Sequence, residues 1–75
     1  MAERDPRKDP KVGDVFRERE FLKIEVVAVG DKELHYLVST PEATSPILRI
    51  PISCHCSRYS WPKRAKEYEV LHAAD

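Results

Sequence analysis

Apolar and polar positions alternate most clearly between Phe21 and Val29. Leu22, Ile24, Val26 and Ala28 interleave with Lys23, Glu25, Val27 and Val29, the period of two that marks a strand. The second face is polar at Lys23 and Glu25 but apolar at Val27 and Val29. That change predicts burial on both sides toward the strand's end, as at the corner of a curled sheet. Leu34, Tyr36 and Val38 alternate with His35, Leu37 and Ser39 to give a return strand, with Gly30-Asp31-Lys32-Glu33 as the hairpin loop. Leu48, Ile50, Ile52 and Cys54 predict a strand over Ile47 to Cys54, and Pro51 on its opposite face makes it an edge or bulged strand. Before these, Val12-Gly13-Asp14 reads as a turn feeding an extended segment from Val15 through Arg19. After them, Ser57 or Ser60 caps a short helix over Trp61 to Glu67, and Pro62 favours Ser60 because proline belongs in a first helical turn. Tyr68 to His72 closes the pattern as a last strand, and Ala73-Ala74-Asp75 frays.

Five short strands with one helical turn before the last predict an all-β domain, an SH3-like small five-stranded barrel. An oligonucleotide-binding fold is the neighbouring alternative, but its strands are usually longer. The expected core is the inward set Val15, Leu22, Ile24, Val26, Leu34, Tyr36, Val38, Leu48, Ile50, Ile52 and Val70. Seventy-five residues make one domain, and such a chain buries only about 60–65% of its unfolded surface. The domain is expected over residues 12–75. Residues 1–11 read as a flexible arm, because Asp5-Pro6 and Asp9-Pro10 break both helix and ladder. No apolar run approaches the roughly 18 residues of a membrane span. The charged start Met-Ala-Glu-Arg-Asp-Pro has no apolar signal region. The expectation is a cytoplasmic protein with Cys54 and Cys56 as thiols.

Charge changes the picture. The chain balances 13 basic against 13 acidic residues, which excludes a histone-like, purely electrostatic binder and leaves self-association, as in a homodimer, unopposed. Yet Ala43 to Lys66 holds no acid, while it carries Arg49, Arg58, Lys63, Arg64 and Lys66 together with Tyr59 and Trp61. A cationic stretch with rings beside it attracts an anionic partner. Aromatic rings next to guanidinium and ammonium groups hold single strands by stacking, and similar rings line peptide grooves on small barrels. The bland alternatives are that Trp61 plugs the open end of the barrel and that the basic run is a solvated face. The binding set is Arg49, Arg58, Tyr59, Trp61, Lys63, Arg64 and Lys66.

The remaining chemistry points away from catalysis. Cys54-His55-Cys56 offers zinc-ligand types, but on a strand the two cysteines share one side and His55 faces the other. No second cysteine pair exists, and Cys54 continues an apolar face. Catalysis by a thiol needs a base in contact with it, which the same alternation denies to His55. With glycine only at positions 13 and 30 there is no phosphate-cradling loop. No metal and no cofactor are expected, and the protein is read as a non-enzyme.

Asp5-Pro6-Arg7-Lys8-Asp9-Pro10 with Gly13-Asp14-Val15, and the late Ser57…Trp61-Pro62-Lys63 before a short final strand, resemble small uncharacterised phage and prophage accessory proteins. Pro62 departs from that pattern and predicts a shortened helix. The resemblance implies no activity. It suggests a phage accessory protein in a bacterial cytoplasm, and the cationic stretch then leads to the expectation of a nucleic acid or an acidic protein surface as its partner. The alternative is a phage-encoded inhibitor of a host defence system, anti-CRISPR-like, acting by occluding a partner protein.

Overall fold

The computed structural model describes residues 4–74, apart from the side chain of Leu48. Five antiparallel strands form one sheet: β1 (Val15–Glu18), β2 (Leu22–Val29), β3 (Glu33–Ser39), β4 (Ile52–Ser57) and β5 (Glu69–His72). Their order is β4-β3-β2-β1-β5, so β1 to β4 form a meander and β5 returns beside β1. The sheet is not closed, and β4 and β5 are its edges. The expected mostly-β architecture with one short helix is present. Among the described residues no helix is long and apolar enough to cross a membrane.

β2 and β3 lie where the alternation placed them, because each presents a two-residue period to one face. Val26 pairs with Tyr36, but the next pair is Ala28 with His35, so Val27 is an extra residue in a β-bulge. A bulge swaps the faces of the residues beyond it. Val29 therefore packs against the core, while Val27 and Ala28 are exposed. The apolar end of β2 reflects this swap, and burial on both sides does not occur.

β4 departs from the expected Ile47–Cys54 strand. Pro46 opens a 3₁₀ turn over Pro46–Arg49, and pairing starts only after Pro51, running from Val38↔Ile52 to Glu33↔Ser57. Proline suits the first turn of a helix and lacks the N–H that a ladder requires, so the two prolines shift the strand toward the C-terminus. Ile50 and Ile52, expected in the core, are exposed, as in part is Val70. The expectation for the Leu48 side chain falls outside the described residues. In β1 the phase is one residue off. Phe16 pairs with Ile24 and is fully buried, whereas Val15 is only half-buried.

The core is Phe16, Ile24, Val26, Leu34, Tyr36, Trp61, Ala65 and Tyr68, with Val29, Val38, Cys54 and Cys56 packed against it. Trp61 sits at its centre, with ring centroids 5.5 Å from Phe16, 5.5 Å from Tyr36 and 5.9 Å from Tyr68. It is delivered by α1 (Trp61–Arg64), a single turn that tightens into a 3₁₀ turn at Ala65–Glu67. Ser60 is the N-cap but makes no side-chain cap bond. The Ser57 hydroxyl accepts the Ser60 N–H instead, at 3.0 Å.

Residues 4–11 of the expected arm are packed onto the domain, and residues 1–3 lie outside the described residues. Pro6 and Pro10 are buried, and the Trp61 indole N–H donates to the Pro6 carbonyl at 3.1 Å. Arg4 makes two bonds to the fully buried Asp14 carboxylate, at 2.7 and 2.9 Å, and donates to the Ala74 carbonyl at 2.6 Å. Asp14 also accepts the N–H groups of Lys11 and Ala74, at 2.8 and 2.7 Å. The residues that break helix and ladder in this segment thus leave its backbone free to cover the core, and one carboxylate ties both ends of the described chain together.

Candidate functional site

Trp61 belongs to the core. It is fully buried and has satisfied its only polar atom on Pro6, so it cannot stack on a ligand. Arg64 is an exposed residue at the end of α1. It donates to the Tyr68 hydroxyl and lies near Tyr36 and Cys56. Burial pushes Tyr68 up to about 12, helped by the Glu18 carboxylate, and Arg64 only partly offsets this. The Cys56 thiol is likewise raised by burial against a smaller opposing effect of Arg64, so it stays protonated and unreactive at neutral pH. Arg58 is half-buried and anchored. Its guanidinium donates to the Gly30 carbonyl at 3.2 Å and reaches the Asp9 carboxylate at 3.5 Å.

Tyr59, Lys63, Lys66 and Arg49 also face solvent. Tyr59 is 81% exposed, and the Lys63 ammonium lies over its ring, 5.2 Å from the centroid. That cation–π pair follows from the i, i+4 spacing across the start of α1. Lys66 lies beyond the change from α to 3₁₀ geometry. It lines a shallow groove of about 270 Å³ with Pro62, Asp5, Arg7 and Lys8. Arg49 is exposed on the separate 3₁₀ turn before β4.

The acid-free segment therefore does not form one patch by itself. It supplies two small groups, Tyr59 with Lys63 and Lys66 with Pro62, and the N-terminal segment adds Arg7 and Lys8 to the second. Composition gave no reason to include Arg7 and Lys8, because six acids balance six bases in the first twenty residues. The available signal was the pair of prolines at positions 6 and 10, apolar surfaces in a charged stretch. Asp5 bonds the Arg7 backbone N–H at 3.0 Å and pairs with its side chain at 3.4 Å. This pairing holds the Asp5 carboxyl below its usual value, chiefly through the backbone bond, with the charges of Arg7 and Lys8 acting in the same direction.

Cys54 and Cys56 are free, half-buried and on the core side of β4. His55 faces outward and lies opposite His35, with ring centroids 5.6 Å apart. Glu33 approaches both imidazoles, at 3.5 Å from His35 and 4.0 Å from His55. Among the described residues no group of three or more His, Cys, Asp or Glu side chains is arranged to hold a metal ion. No family model, curated protein or solved structure matches this chain.

Proposed function

We propose that this protein is a non-enzymatic binding module whose two cationic groups, Lys63 with the exposed Tyr59 and Lys66 with Arg7 and Lys8, bind single-stranded nucleic acid. The observation that carries this reading is the Tyr59–Lys63 pair. A tyrosine left 81% exposed beside an ammonium group offers a ring for a base and a cation for its phosphate at one point. The neighbouring Lys66–Lys8 groove extends the positive surface. Arg58, Arg64 and Trp61 hold these elements in place rather than touching the ligand. An SH3-like barrel left open along its β4 and β5 edges remains the proposed fold type, supported by the meander and by the helical turn before β5. The two segments that resemble phage accessory proteins meet at the Trp61–Pro6 hydrogen bond, which supports reading them as one unit.

Anisotropy of a labelled random oligonucleotide tests the reading. Binding should appear at low salt and weaken steeply as salt rises, because neutralised phosphates release counterions. Reversing Lys63 and Lys66 to Glu should abolish it while changing stability by no more than about 0.5 kcal/mol. No binding at low salt refutes the reading. A shift on mixing with a host nucleoprotein complex instead would favour the inhibitor that acts by occlusion.

A further inference from the structure

The groove beside Lys66 is a joint product of two distant parts of the chain. Pro62 and Lys66 come from α1 and the 3₁₀ turn after it, whereas Asp5, Arg7 and Lys8 come from the N-terminal segment. Its cations are Arg7, Lys8 and Lys66, facing the Asp5 carboxylate, and the first two depend on where that segment lies. Without the segment, only the proline and Lys66 of this lining remain.

No ladder holds the segment there. Residues 4–11 belong to no strand, and their backbone–backbone bonds are local. The Lys8 and Asp9 N–H groups donate to the Asp5 carbonyl at 2.9 and 2.8 Å, which makes a turn with Arg7 and Lys8 at its tip. Arg4 closes the base of this turn. Its Nη1 donates to the Asp9 carbonyl at 2.9 Å and to the Asp14 carboxylate, and its Nη2 donates to the Asp14 carboxylate and the Ala74 carbonyl. A single guanidinium thus joins the two ends of the turn to each other and to the body of the domain. Its planar fork meets these acceptors at fixed angles, which an ammonium group cannot match. Away from Arg4, docking rests on the Pro6 carbonyl under the Trp61 indole, the buried Pro6 and Pro10, and the longer Arg58–Asp9 contact at 3.5 Å.

We infer that residues 4–11 act as a strap that completes the nucleic-acid surface when docked, with Arg4 as its positioning residue. The inference rests on the nucleic-acid reading of that surface. Arg4 does not touch the ligand, since its side chain is only 18% exposed and its guanidinium is committed to Asp9, Asp14 and Ala74. It acts by holding Arg7 and Lys8 beside Lys66, so that the three charges meet the phosphates of one strand together. A segment ordered before the ligand arrives spares the complex the entropy of ordering it on binding.

Anisotropy titrations of a labelled single-stranded oligonucleotide over a range of salt test the inference. Each phosphate neutralised on a single strand adds about 0.7 to the slope of log affinity against log salt. Arg7→Gln with Lys8→Gln should therefore lower that slope by up to about 1.4. Arg4→Gln should lower it by a similar amount, although Arg4 itself contacts no phosphate. Adding Arg4→Gln to the Arg7→Gln, Lys8→Gln pair should change neither slope nor affinity further. Arg4→Lys keeps a charge beside Asp14 and the net charge of the chain, but gives up the fork. Its slope should fall part of the way, and it carries the test if Arg4→Gln does not fold by circular dichroism. Trp61 supplies a readout free of nucleic acid. Release of the strap should shift its emission to the red and raise its quenching by acrylamide in the Arg4 variants, but not in the Arg7→Gln, Lys8→Gln pair. Wild-type binding with an unchanged slope in both Arg4 variants overturns the inference and leaves the reading of the site standing. Additive losses also overturn it, because Arg4 would then meet phosphate directly or act through net charge. Unchanged Trp61 emission in the Arg4 variants overturns it as well. A wild type that binds no oligonucleotide refutes the reading of the site, and the strap's part in it, whatever Trp61 reports.

Discussion

The two ends of the sheet's inner face are built from similar material and meet different fates. At one end Phe16, Ile24, Val26, Leu34 and Tyr36 are covered by Trp61, Ala65 and Tyr68, and the segment around Pro6 and Pro10 covers that end from outside. At the other end Leu22, Val38 and Ile52 face the same way, with Ser39, Thr40, Ile47 of the 3₁₀ turn and the neighbouring Ile50 beside them, and the surface stays open. The alternation along β2, β3 and β4 is continuous across both ends. What differs is the element that arrives from elsewhere in the chain. A helical turn carrying one large ring closes an end. A proline-bounded turn carrying aliphatic side chains outward does not. Burial therefore follows from which connection covers a face, as much as from the face itself.

The closed end can be broken most severely at its centre. Trp61→Ala should cost about 3–5 kcal/mol from lost packing alone, with the Pro6 carbonyl left without its donor. A domain of this size is stable by only about 4–11 kcal/mol. Chemical denaturation should show a strongly reduced midpoint or no cooperative transition. Near-wild-type unfolding would mean that the tryptophan is not central to the core.

Asp14 fastens the cover in place, and its removal should cost less. Asp14→Asn keeps the shape but loses the charge facing Arg4 and turns an amide toward two backbone N–H donors. A loss of about 2–3 kcal/mol follows, below the 3–5 kcal/mol of a buried pair broken outright. Burial by itself would raise the Asp14 carboxyl, but the bonds from Arg4, Lys11 and Ala74 outweigh it and hold the pKa below the usual 3.8. A depressed pKa gives stability that is present above the unfolded-state value and is lost as pH falls through the folded-state value. The gap between wild type and variant should therefore be full at neutral pH and shrink only in acid below 3.8. Equal acid sensitivity of the two proteins would show that Asp14 is not the fastening.

The smallest expected change lies at the turn between β1 and β2. Arg19 sits there at φ 59°, a left-handed conformation that costs a side-chain-bearing residue about 1–2 kcal/mol. Arg19→Gly relieves this strain but loosens the unfolded chain, so it should raise stability by at most about 1 kcal/mol. A clear loss would show that the arginine side chain makes an essential contact.

How far the sequence foretold this comparison depends on the element. β2 and β3 could be read because their periodicity is strong and their hairpin is local. β4 could not be placed, because Leu48, Ile50, Ile52 and Cys54 keep perfect alternation straight through a segment where Pro46 and Pro51 deny it a ladder. The bulge at Val27 was visible only as two apolar residues on an otherwise polar face, a pattern that double-sided burial fits equally well. On the cationic face, Lys63 and Lys66 stood out by composition. Arg7 and Lys8 did not, since their position depends on prolines docking beside a tryptophan more than fifty residues away. Trp61 and Arg64 have the residue types of a binding site, but packing claims the first and the Tyr68 hydroxyl the second.

The contrast between the two ends is tested most directly by a matched pair of truncations, Ile24→Ala at the closed end and Ile52→Ala at the open end, each unfolded by urea under dilute conditions. The side chains are identical, and both were expected in the core from their alternation. Ile24 is 1% exposed and Ile52 65%. The account predicts a loss of about 2–5 kcal/mol for Ile24→Ala and no more than about 0.5–1 kcal/mol for Ile52→Ala. Comparable losses at the two positions would contradict it, because they would mean that the far end of the sheet is closed after all.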